Sequence, residues 1–135
     1  MKPSLWLMIL VTAALVGCAT PFRAPPDVAH VELGRGDSPV VMVEKIWLER
    51  KSGPLLLRGY VLKRLKATDT TQTHLDVTLF DSEGRVLRST VEQFTPRQIP
   101  RRHRRPDYAT YRVELDPLPP GTARIEVHAH EGPHS

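Results

Sequence analysis

Hydrophobic and polar residues alternate in short runs over most of this chain, with turn residues between the runs. Residues 55–65 send Leu55, Leu57, Gly59 and Val61 to one side and Arg58 and Arg64 to the other. Residues 75–80 set Leu75, Val77 and Leu79 against Asp76 and Thr78. Residues 108–115 alternate Ala109, Tyr111, Val113 and Leu115 with Arg112 and Glu114. Residues 123–129 place Ala123, Ile125, Val127 and Ala129 inward, with Arg124, Glu126, His128 and then His130 outward. A period of two with one apolar face predicts half-buried strands. Residues 85–94 read as a further strand, and residues 28–33 as a weak first one.

Residues 40–48 break the rule. Val41, Val43 and Trp47 fall on one face, Met42, Ile46 and Leu48 on the other. Two apolar faces predict a strand covered on both sides, or one that changes sheets. Gly59 inside its strand predicts a bulge or a close backbone approach. Ser52-Gly53-Pro54, Asp81-Ser82-Glu83-Gly84 and residues 117–121 are turn signals, with Gly84 where a positive φ is needed. Residues 67–73 form a polar loop, and Tyr108 and Tyr111 read as paired hairpin packing. Six or seven strands with no helices between them predict an all-β fold, an antiparallel immunoglobulin-like β-sandwich. A small barrel is the competing architecture.

The first residues differ in kind. Lys2 precedes an uncharged apolar run from Leu5 to Val16, the length of a signal-peptide core. A helical membrane span needs roughly 20 residues. The run ends in Leu15-Val16-Gly17-Cys18, with the only cysteine of the chain. This resembles the lipobox of bacterial lipoproteins. The resemblance implies cleavage before Cys18 and a covalent lipid on its thiol. With Ala19 rather than aspartate next, it implies the periplasmic face of the outer membrane. The chain then divides into a signal peptide over 1–17, a lipidated cysteine and tether over 18–27, and the sandwich over 28–135. Three prolines within residues 19–27 favour an extended spacer. With the cysteine lipidated no disulfide is available, so packing must hold the domain.

Within residues 57–87, Arg58-Gly59-Tyr60-Val61, Leu75-Asp76-Val77-Thr78-Leu79-Phe80-Asp81 and Gly84-Arg85-Val86-Leu87 resemble the small bacterial immunoglobulin-like domains called FxLYD. That resemblance implies a sandwich outside the cytoplasm and carries no catalytic residue.

Two clusters bear on binding. Arg97, Arg101, Arg102, Arg104 and Arg105 lie close together among Pro96, Pro100 and Pro106, with His103 between them. Like charges so dense, with prolines that cannot join a ladder, predict an exposed, extended connection between strands. Arginine forks grip phosphate or carboxylate in two places. Phospholipid head groups, lipopolysaccharide phosphates or an acidic envelope protein are therefore the expected partners, besides the membrane itself. Nucleic acid is not expected, because no stacking aromatics are interleaved and the compartment is wrong. The alternative is a copper or zinc protein. His128 and His130 share one strand face, and His134 follows nearby. His30, His74 and His103 read as scattered surface residues. No nucleophile elbow, His-Glu-x-x-His or phosphate-cradling glycine loop is present, so neither an enzyme nor a small-molecule substrate is expected.

Overall fold

The computed structural model describes residues 23–101 and 107–133. The signal-peptide expectation and Cys18 lie outside them. A 3-10 turn at Pro26–Val28 leads into seven strands: β1 (Glu32–Gly36), β2 (Val41–Glu49), β3 (Leu56–Lys63), β4 (Thr73–Phe80), β5 (Val86–Glu92), β6 (Tyr108–Glu114) and β7 (Arg124–Glu131). They form two sheets, ordered β1-β7-β4-β5 and β2-β3-β6. The fold is an all-β sandwich. Hairpins join β2 to β3 and β4 to β5, and every other connection crosses between the sheets, as in immunoglobulin-like sandwiches.

The strand pairing is antiparallel with one exception. β1 runs parallel to β7, from Glu32 opposite Arg124 to Gly36 opposite His128. The first strand lies later than expected, after the turn that buries Val28, and enters at the end of the sandwich where β7 also begins. Hence the two run side by side in one direction.

Between the sheets lie Val41, Val43, Leu48, Leu57, Val61, Leu75, Val77, Leu79, Tyr111, Val113, Ile125 and Val127, all buried. The inward sets on β3, β4, β6 and β7 follow the alternation of the sequence. β2 is neither covered on both sides nor shared between sheets. Its register shifts between Val43 and Lys45, so Glu44 is an extra residue in the ladder. A single bulge moves the inward phase by one position. Val41 and Val43 point inward before it, Ile46 and Leu48 after it, and Trp47 turns outward. The Arg35 guanidinium of β1 donates to the carbonyls of Val43 (3.4 Å) and Glu44, and the Asp37 carboxylate accepts from the Val43 N–H at 2.8 Å. The bulge is thereby tied to the edge of the opposite sheet.

Gly59 sits across from Ile46, just past the bulge. A Cβ there would lie 2.1 Å from the Lys45 carbonyl oxygen and 2.4 Å from the Tyr111 Oη. The close approach expected from the sequence is therefore real, and its cause is the Tyr111 hydroxyl and the bulged β2 backbone. Tyr108 and Tyr111 do not pack as a pair, because a spacing of three puts them on opposite faces. Tyr108 is half exposed and meets Tyr60 edge-on, while Tyr111 is buried.

The Tyr111 Oη has no hydrogen-bond partner among the described residues. Burial pushes this phenol above its ordinary range, weakly opposed by Arg35. An unfolded tyrosine ionises near pH 10. Above that the unfolded chain releases a proton that the folded chain keeps, so stability falls as pH rises. The slope reaches about 1.4 kcal/mol per pH unit. Tyr111→Phe is expected to remove this alkaline loss while changing stability little at pH 8. Denaturant titrations at pH 8 and pH 11 check it, and equal alkaline losses in both proteins would refute it.

Candidate functional site

The strand directions divide the sandwich into two poles. Residues 23–31, the β2–β3 turn, the β4–β5 turn and the β6–β7 connection gather at one end, here the entry pole. The β1–β2, β3–β4 and β5–β6 connections and the end of β7 gather at the other, the far pole. The eight residues of β3 separate the poles by about 26 Å.

Arg50, Lys51 and Arg85 at the entry pole are paired with nearby carboxylates. Arg50 meets Asp27 at 3.1 Å and Asp116 at 3.6 Å, Lys51 meets Glu49 at 3.1 Å, and Arg85 meets both Asp81 and Glu83 at 2.8 Å. Arg85 also donates its main-chain N–H to Asp81, and this bond is the largest influence holding that carboxyl below its ordinary range.

The far pole carries the arginine segment. Arg97 and Arg101 are described and exposed, whereas Arg102, Arg104 and Arg105, like His103, lie outside the described residues. The root of the segment is firmer than a solvated connection. Phe94 and Ile99 are buried in the core. The fully buried Thr70 donates its hydroxyl to the Arg97 carbonyl at 2.5 Å and accepts from the Ile99 N–H at 2.9 Å. Gln98 bonds the main chain at Thr68 and Thr70, and the Arg97 guanidinium donates to the Thr71 carbonyl. The Lys63 Nζ donates to the Ile99 carbonyl at 2.9 Å. Bonds to carbonyls satisfy the donors of Lys63 and Arg97 without cancelling their charge. The far pole thus presents positive charge on a rigid root.

The histidines are distributed differently from the expectation. His74 is not a surface residue: it is 8% exposed, at the start of β4. It stands directly opposite His130 of β7, with ring centroids 5.0 Å apart. Asp76, two residues along β4, projects on the same outer face. Its carboxylate lies 3.6 Å from the His74 Nε2 and 3.9 Å from the His130 Nδ1. His128 shares that face but turns elsewhere. Its Nε2 meets Glu126 at 3.3 Å, and its ring lies over Gly36, where a Cβ would come within 2.3 Å of Nδ1. His134 lies outside the described residues. The legible part of this group was the His-x-Asp spacing of residues 74 and 76, which puts both on one strand face. Its closure with His130 depends on β4 lying beside β7, a pairing distant in sequence.

On the outer face of the other sheet, Trp47, Tyr60 and Tyr108 form a row of edge-to-face rings, with Arg58 over Trp47 at 5.9 Å. Among the described residues no helix is long and apolar enough to cross a membrane.

Comparisons with protein-family models, with curated proteins and with solved structures return no match.

Proposed function

We propose that this protein is a lipid-anchored, non-enzymatic binding module of the bacterial outer membrane, facing the periplasm, whose arginine-bearing pole engages an acidic partner protein. The observation that carries the reading is polarity. The chain enters the sandwich at one pole, and Arg97 and Arg101 stand at the other. The lipobox resemblance around Cys18 supports attachment on the entry side. The likeness of residues 57–87 to FxLYD domains supports placement outside the cytoplasm.

An extended tether from Cys18 to Pro25 reaches about 20 Å at 3.1 Å per residue. An upright domain then holds its arginines beyond the head groups of its own bilayer. A partner across the periplasm fits this posture better than the anchoring membrane does. Arg50, Lys51 and Arg85 at the entry pole pair with carboxylates, whereas Arg97 at the far pole bonds to a carbonyl and keeps its charge. Arginine forks match the carboxylates of such a partner.

The test uses the whole lipoprotein in envelopes. A photo-crosslinking residue is placed at Arg97 or Arg101, and in parallel at Arg50 or Arg85. Adducts with one acidic protein are expected from the far pole alone. They should weaken in salt and disappear when the other four of Arg97, Arg101, Arg102, Arg104 and Arg105 are changed to serine with the crosslinking residue kept in place. Equal adducts from both poles, or adducts to lipid only, would overturn the reading. Mass spectrometry of the purified protein checks the anchor: a free Cys18 thiol or an uncut leader would remove it.

A further inference from the structure

We propose that His74, Asp76 and His130 form a binding site for one divalent transition cation of the copper or zinc kind. The ligand set differs from the histidines that the sequence singles out, and the inference does not depend on the anchor or on an acidic partner.

Three observations carry it. The first is chemistry. Two imidazoles and one carboxylate are the donors that borderline cations prefer, and three protein ligands leave a position open for water or a further group.

The second is geometry. One donor atom from each residue lies within 4.8 Å of the other two. Metal–ligand bonds of about 2.0–2.2 Å set tetrahedral neighbours about 3.4 Å apart. The His74 Nε2 lies 3.6 Å from one oxygen of the Asp76 carboxylate and the His130 Nδ1 lies 3.9 Å from the other, both near that value. The donor atoms must draw together by at most about 1.4 Å to surround an ion.

The third is support. β4 and β7 are the two inner strands of their sheet, and His74 and His130 are direct register partners on them. Ligands on paired inner strands are held more firmly than ligands on loops. His74 is buried, while the His130 side chain is 49% exposed, so an ion has a way in from solvent. His128, the register partner of Asp76, pairs with Glu126 at 3.3 Å instead.

Coordination requires neutral imidazoles, so protons compete with the ion for these ligands. The experiment is calorimetry of the mature full-length protein, purified without a histidine tag, with zinc and with copper(II) at pH 7.5. Electron paramagnetic resonance of the copper form follows. One equivalent is expected, with two nitrogen ligands. Removing an outer partner of a metal site commonly costs about 10–100-fold in affinity. His130→Ala, which removes a ligand itself, should cost at least as much, and Asp76→Asn, which removes the carboxylate charge, should also weaken binding. His130→Ala should also reduce the nitrogen count to one. His128→Ala and His134→Ala should change affinity less than about 3-fold. His74→Gln tests the buried ligand. If it fails to fold, the exposed His130 still settles the matter. Unchanged affinity and unchanged spectrum in His130→Ala would overturn the site. Loss of binding in His128→Ala or His134→Ala would also overturn it, moving the ion to the C-terminal histidines. Heats no greater than dilution for both metals would remove it altogether.

Discussion

Gly59→Ala is expected to lower the stability of the domain by about 3 kcal/mol or more, the largest loss of any single methyl addition considered. Overpacking a tight core commonly costs about 1–3 kcal/mol. Here the obstacles are unusually close. The added carbon would lie 2.1 Å from the Lys45 carbonyl oxygen and 2.6 Å from the Tyr111 Cζ. A side chain can rotate away, but Lys45 belongs to the bulged backbone of β2, which Arg35 and Asp37 hold to the neighbouring sheet edge. The midpoint of urea unfolding measures the effect. Adding Tyr111→Phe removes one obstacle, the hydroxyl, and should restore only a minor part. Gly53→Ala is the control, since a Cβ there meets nothing within 4 Å. Its effect should stay within about 0.5 kcal/mol. A Gly59→Ala protein as stable as the Gly53→Ala control would mean that the β2 backbone gives way freely.

Ile99→Ala is expected to cost about 2–4 kcal/mol, the usual range for emptying a buried aliphatic site. The consequence for function is more specific. Ile99 is fully buried immediately before the exposed Pro100 and Arg101, and it plugs the arginine segment into the core. Its N–H and carbonyl are held by Thr70 and Lys63. Without the plug, the bonds of Arg97 and Gln98 to residues 68–71 lose their backing. Trypsin should then cut after Arg97 faster than in the native protein, before global unfolding. A stability loss under about 1 kcal/mol with an unchanged cleavage rate would show that the root is held by its hydrogen bonds alone.

The strands were legible wherever one face is buried and the other wet. Leu75, Val77 and Leu79, or Ala109, Tyr111 and Val113, announce their direction by simple alternation. β2 was misread because a bulge leaves no mark in composition: Glu44 resembles any other polar residue, yet it reverses the facing of everything after it. Gly59 was the nearest clue, and it lies on the partner strand. The parallel β1 was hidden because Gly34 and Gly36 weaken its alternation, and direction is not a local property. The rigid root of the arginine segment escaped notice because charge and proline dominate residues 96–106. Its anchors, Ile99 and Thr70, come from two different loops. The His74 group was missed for the same reason. Two residues on β4 and one on β7 meet only through the order of strands within a sheet.

The parallel course of β1 has a mechanical consequence. A pull on the N-terminal side of the chain, opposed by a load at the far pole, runs along β1 from Glu32 towards Gly36. Its bonds to β7 are then strained together in shear, rather than peeled apart one at a time as at an antiparallel edge loaded from its end. A domain stretched between those two points would resist the tension with the whole length of its first strand.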